Sequence, residues 1–162
     1  MQRDWQKNDI ATSYDLHVNT IYRVCFMYFR QKTQDIEDAV QTTFLKRIGY
    51  TKPFENSEHE RAWLIRTASN VCKDMLKRKE RRNISIEGIE IIDTKSDYLI
   101  DEILGFVLTL PPKYKFAMYL FYYEGYSCKH IAQIMKKSEG SIWNYLHCGR
   151  NQVKTMMQGE EL

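Results

Sequence analysis

Only seven glycines and three prolines interrupt this 162-residue chain, and the glycines do not cluster. Phosphate-cradling loops of the GxxxxGK[ST] or GxGxxG kind are therefore missing, and neither HExxH nor GxSxG occurs. No apolar run reaches the ~18 residues that a membrane helix requires. The longest aromatic-rich stretch, Phe116 to Tyr123, is far shorter and is flanked by charge. The opening MQRDWQKND has no apolar run, so no secretory signal is expected. The four cysteines, at 25, 72, 128 and 148, are too scattered for a disulfide frame and read as buried or free thiols. These absences leave a soluble, cytoplasmic protein as the expectation, with no catalytic residues, no cofactor and no metal of its own.

What is present suits a packed core. Apolar residues make up 43% of the chain and aromatics 13%, eleven of them Tyr, which argues against disorder over most of its length. The length allows one ordinary domain or two small ones. Charge is distributed unevenly. Residues 1–83 carry 16 basic and 11 acidic side chains, and residues 111–162 carry 7 and 4. Between them, residues 84–110 hold Lys95 against six acids, Glu87, Glu90, Asp93, Asp97, Asp101 and Glu102. Two basic lobes flanking an acidic joint suit two contacts with a polyanion, although ordinary surface variation produces the same pattern.

Periodicity predicts helices throughout. Ile21 to Phe29 is apolar nearly all round, as in a helix buried on most sides. From Asp35 to Ile48 the apolar residues fall at 36, 40, 44, 45 and 48, with acids in the first turn and Gly49 and Pro53 beyond the end. Asn56 to Glu60 reads as a loop with a capping residue. Ala62 to Arg82 then reads as one helix, or as two broken near Ser69-Asn70. Its second half, from Lys73, carries six cations and two anions. Ile84 to Asp97 loses the helical pattern and reads as a linker, because a lone strand would lack a partner. Beyond it, Tyr98 to Leu110, Tyr114 to Tyr123, Cys128 to Met135 and Ser141 to Met157 are the expected helices, with Gly125 as a left-handed cap. A short helix, a turn with a glycine and a longer helix form a helix-turn-helix, closed by Ile131, Ala132, Ile134, Ile142 and Leu146. The expected fold is all-α: two small helical domains, 1–83 and 98–162, joined by the acidic linker 84–97.

Three chemistries are open to these residues. Cys128, His130, His147 and Cys148 supply four potential zinc ligands, but adjacent helical residues point about 100° apart, so His147 and Cys148 do not readily share one ion. In a helix-turn-helix the second helix enters the major groove, which places Ser138, Glu139, Ser141, Ile142, Asn144 and Tyr145 near base edges. Lys136, Lys137, Arg150 and Lys154 would then meet phosphates. The basic stretch 73–82 is either a solvated face or a phosphate track working with Trp63 on unstacked bases.

Two blocks together carry a resemblance. Asp35-Ile-Glu-Asp-Ala-Val-Gln-Thr-Thr-Phe-Leu-Lys46 with Ala62-Trp-Leu-Ile-Arg-Thr-Ala-Ser-Asn-Val-Cys-Lys-Asp-Met-Leu-Lys-Arg78 resembles the first domain of extracytoplasmic-function sigma factors. Leu110-Pro-Pro-Lys-Tyr-Lys115, Phe121-Tyr-Tyr-Glu-Gly-Tyr-Ser127, Ile131-Ala and Gly140-Ser-Ile142 resemble their helix-turn-helix domain. The resemblance implies a promoter-specificity subunit of bacterial RNA polymerase. It implies core-polymerase contacts at Asp35, Glu37, Asp38, Gln41, Phe44 and Leu45. It implies −10 contacts at Trp63, Arg66, Ser69, Asn70, Val71, Lys73, Lys77 and Arg78, with a loop at 69–71 capturing a flipped base. The second lobe would read the −35 duplex, the linker would thread the polymerase cleft, and a separate anti-sigma protein would exert control. Trp143 and Tyr145 depart from the small or basic residues common there, so no −35 preference carries over. The competing expectation is a stand-alone helix-turn-helix regulator that binds duplex DNA without polymerase.

Overall fold

A computed structural model describes residues 2–30, 32–82 and 102–160. The expected linker 84–97, and the start of the helix expected from Tyr98, lie outside these. Among the described residues every regular element is an α-helix, and none is long and apolar enough to cross a membrane. The chain divides into two compact units, residues 1–91 and 92–162.

The first unit is a three-helix bundle of α1 (Gln2–Phe29), α2 (Thr33–Gly49) and α3 (Ser57–Arg81), each packed on the other two. α1 extends well before the expected Ile21. It turns Ser13, His17, Thr20, Ile21, Val24 and Tyr28 inward at helical spacing. It ends at Arg30, which sits in the left-handed region at φ 53° and returns its N–H to Phe26 O at 2.7 Å. Ile36, Ala39, Val40, Thr43 and Phe44 line the buried side of α2. α3 contributes Leu64, Ile65, Ala68, Val71 and Cys72. Where α1 and α3 meet, Tyr28 Oη and Ser69 Oγ hydrogen-bond at 2.6 Å. The hydrogen bond to Cys25, reinforced by burial, pushes the Cys72 thiol well above its ordinary value, so this pair is core packing rather than a reactive centre.

α3 corrects the sequence reading twice. It begins at Ser57, because the Asn56 side chain accepts from His59 N at 2.8 Å and Glu58 and Glu60 favour the first turn. It also runs unbroken to Arg81, so no loop interrupts it at 69–71.

The second unit holds α4 (Glu102–Leu108), α5 (Pro112–Tyr122), α6 (Cys128–Met135) and α7 (Glu139–Glu160). α7 packs on the other three, with Ile142, Leu146, Gly149 and Val153 inward. Gly149 allows a close approach: a Cβ there would lie 2.9 Å from Met118 Cγ on α5. Gly125 takes φ 77° after α5, as expected of a left-handed cap.

Candidate nucleic-acid interfaces

At about 100° per residue, positions 66, 70, 73 and 77 fall within one narrow strip of a helix. Arg66 is half-buried and Asn70, Lys73 and Lys77 are exposed, on the side of α3 opposite Leu64, Ala68 and Val71. Arg78 is exposed but lies outside this strip, about 100° round the helix from Lys77. Ser69 and Val71, expected at the same site, belong instead to the core. Each lies one residue from Asn70, and that step turns the side chain inward.

The strip runs N-terminally into an aromatic cluster. Trp63 packs against Tyr50 at 4.6 Å and Phe54 at 5.8 Å between ring centroids, and Tyr50 stacks on Phe54 at 5.2 Å. Tyr50 and Phe54 come from residues 50–56, which join α2 to α3 and are pinned at their far end. Glu55 N donates to His59 Nδ1 at 3.1 Å, and Phe54 meets the His59 ring edge-on at 5.3 Å. Beneath the loop, Arg47, Glu60 and His17 form a buried polar group. Glu60 Oε2 accepts from Arg47 Nε at 3.1 Å and Nη2 at 2.8 Å, and Glu60 Oε1 lies 3.2 Å from His17 Nε2. Burial lowers the His17 pKa, with Glu60 pulling the other way. Sequence reasoning included Trp63 but missed Tyr50 and Phe54. Aromatics inside a Pro-containing loop were the available signal, because a solvated turn has little use for them.

On α2 the expected contact residues separate by face. Glu37, Asp38 and Gln41 are exposed, and Leu45 (66%) and Ile48 (53%) present apolar surface beside them. Phe44 is buried against Tyr14, edge-on at 4.9 Å, so it shapes the bundle rather than its surface. Asp35 is half-buried and paired with Lys79 of α3.

In the second unit, Ser127 caps α6 by accepting from His130 N at 3.2 Å. The turn's left-handed residue is Lys136, at φ 54°, while Gly140 lies inside the first turn of α7. α7 starts at Glu139 rather than Ser141, because Ser138 Oγ accepts from Ser141 N at 3.1 Å. Ser138 is thus engaged as a cap and Ile142 is buried in the core, both having been expected at base edges. Tyr145 is half-buried against Tyr114. Glu139 and Asn144 are exposed, as are Lys136, Lys137, Arg150 and Lys154. Arg150 Nε donates to Tyr122 Oη at 2.6 Å. Counting outward from Ile142 and Leu146 also finds Trp143, His147 and Asn151, three exposed residues of α7 missing from the expected set. Among the described residues no three potential ligands gather for a metal. Cys128 is buried in the core, and the Cys148 thiol donates to Asn144.

Sigma-70 region 2 matches residues 14–82 and Sigma-70 region 4 matches residues 100–153, together most of the chain. The ECF RNA polymerase sigma factor SigM of Bacillus subtilis is 26% identical over 153 residues, covering 88% of this chain and 91% of its own. SigW of the same organism, also an ECF RNA polymerase sigma factor, is 22% identical over 162 residues, covering 89% and 86%. Among solved structures, the sigma factor RpoE in complex with the anti-sigma factor NepR from Bartonella quintana superposes with a TM-score of 0.70. That match is 17% identical and covers 93% of this chain and 97% of that one. CnrH in complex with the cytosolic domain of CnrY gives 0.63, with 17% identity, 94% of this chain and 90% of that one. Both share the all-α fold. Two sigma-70 regions in order, on the helices described above, place the chain in the extracytoplasmic-function sigma factor family, which directs RNA polymerase to promoters through region 2 at the −10 element and region 4 at the −35 element.

Proposed function

We propose that α3 and the 50–56 loop together hold the opened strand of the −10 element. The observation that carries this reading is the single strip of Arg66, Asn70, Lys73 and Lys77 running into the Tyr50–Phe54–Trp63 cluster. Unstacked bases need aromatic faces or a shaped recess, and the backbone between them needs cations along one line. The base-capture position moves from 69–71 to the 50–56 loop, with Asn70 kept as a polar contact beside it.

The exposed side of α2, with Glu37, Asp38, Gln41, Leu45 and Ile48, docks core polymerase, its apolar residues gaining a covered environment and its acids a basic partner. The exposed face of α7 reads the −35 duplex through Asn144, His147 and Asn151. Lys136, Lys137, Arg150 and Lys154 hold phosphates. The acidic linker 84–97 avoids DNA by charge and threads the polymerase cleft. No step of catalysis belongs to the chain itself, and its place of action is the cytoplasm. RpoE and CnrH were each solved with a second protein bound, RpoE's partner being an anti-sigma factor. A separate anti-sigma protein holding this chain inactive follows by analogy.

Binding of a single-stranded −10 oligonucleotide by the reconstituted holoenzyme tests the site. Asn70→Ala and Trp63→Ala should each weaken it about tenfold, the scale of one lost base contact. Unchanged affinity in both variants would contradict the assignment.

A further inference from the structure

Arg47, Glu60 and His17 come from α2, α3 and α1, and all three are buried. Glu60 Oε2 receives two donors from Arg47, and its other oxygen faces His17. Burying such groups is an inefficient way to hold three helices together, because well-packed apolar side chains stabilise a bundle as well or better. What a guanidinium supplies, and an apolar chain does not, is a flat, rigidly oriented cation. Here Arg47 Cζ stands 4.9 Å from the centroid of the Phe54 ring. Phe54 is thus held from below by Arg47 and from the side by Trp63 and His59.

We infer that Arg47, fixed by Glu60, is a positioning residue for promoter opening: it sets the Phe54 ring and so the aromatic face that the 50–56 loop and Trp63 present. The inference rests on the −10 reading above and adds a residue that never touches DNA. Its effect passes from the ion pair to the ring, and from the ring to the base.

The test uses the full chain with core polymerase on a promoter it transcribes, following permanganate reactivity of −10 thymines over time. Arg47→Met alone would strand a buried carboxylate, so it is combined with Glu60→Gln, removing both charges at once. This double variant should keep the parent's unfolding temperature and polymerase affinity yet open the promoter about tenfold more slowly, the scale of one weakened base contact. Arg47→Lys keeps the charge but loses the planar fork, and should open at an intermediate rate. Phe54→Ala should slow opening as much as the double variant, and combining all three changes should add nothing further. Parent-rate opening in both Arg47 variants, with Phe54→Ala still slow, would overturn the inference and leave the −10 reading standing. Parent-rate opening in Phe54→Ala and Trp63→Ala would overturn the −10 reading itself, and the inference with it.

Discussion

His17 shows how one side chain sets a pH limit on the fold. Burial holds its pKa below the ordinary 6.5, against the opposing pull of Glu60. The folded chain therefore takes up this proton less readily than the unfolded chain does. Stability is full above the ordinary histidine value and declines as the pH falls below 6.5. Thermal unfolding of His17→Gln followed from pH 7.5 downward should show a flatter decline than the parent. In the proposed reading Lys136 has two roles of opposite sign. At φ 54° a non-glycine residue is strained, so Lys136→Gly should raise stability by about 1 kcal/mol. The same change should weaken duplex binding and lower its salt slope by about one, through loss of a phosphate contact. Denaturant melts and salt titrations on that one variant check both signs. At this scale the sequence was legible wherever helical period decides the face. Arg66, Asn70, Lys73 and Lys77 were assigned to a surface and lie on one, whereas Ser69, Val71, Phe44 and Ile142 were assigned to surfaces although the fold buries them. A motif matched as a continuous string carries inward and outward positions alike, and only the 100° step separates them.

Helix ends, more than helix existence, escaped the sequence. Ser57-Glu-His-Glu60 is polar enough to pass for a loop, yet the Asn56 cap starts α3 there, five residues before Ala62. Asn56→Ala should cost about 1 kcal/mol in a chemical melt. It should also loosen the 50–56 loop and so impair −10 binding beyond what that loss of stability explains. The early part of α1 was hidden for a different reason. Its inward positions include Ser13, His17 and Thr20, so its buried face carries no apolar signature. Within the second unit, the α5–α7 crossing depends on Gly149. Gly149→Leu would force Met118 aside and should destabilise that unit by ~2 kcal/mol. Differential scanning calorimetry measures the loss directly.

For the whole molecule, the order of the two lobes was legible from two spaced blocks, and sigma-70 regions 2 and 4 match in that order at residues 14–82 and 100–153, while the linker expected at 84–97 lies outside the described residues. The pattern left the 50–56 loop unread, since Tyr50, Phe54 and Trp63 converge only when α2 and α3 pack against each other. In the reading proposed above, function at this scale is a division of faces: α2 toward polymerase, the α3 strip toward opened DNA, α7 toward duplex. Reversing charge with Glu37→Lys and Asp38→Lys should weaken association with core polymerase, more so at low salt, without changing the unfolding temperature, because both side chains are exposed. The most direct measurement is run-off transcription by core polymerase, with and without this chain, on fragments from its own genomic neighbourhood. If this division of faces holds, transcripts require the chain and are sharply reduced by Asn70→Ala, by Phe54→Ala and by the α2 charge reversal. Chain-dependent transcripts that survive all three changes would contradict it, as would nanomolar duplex binding by the protein alone with no transcript.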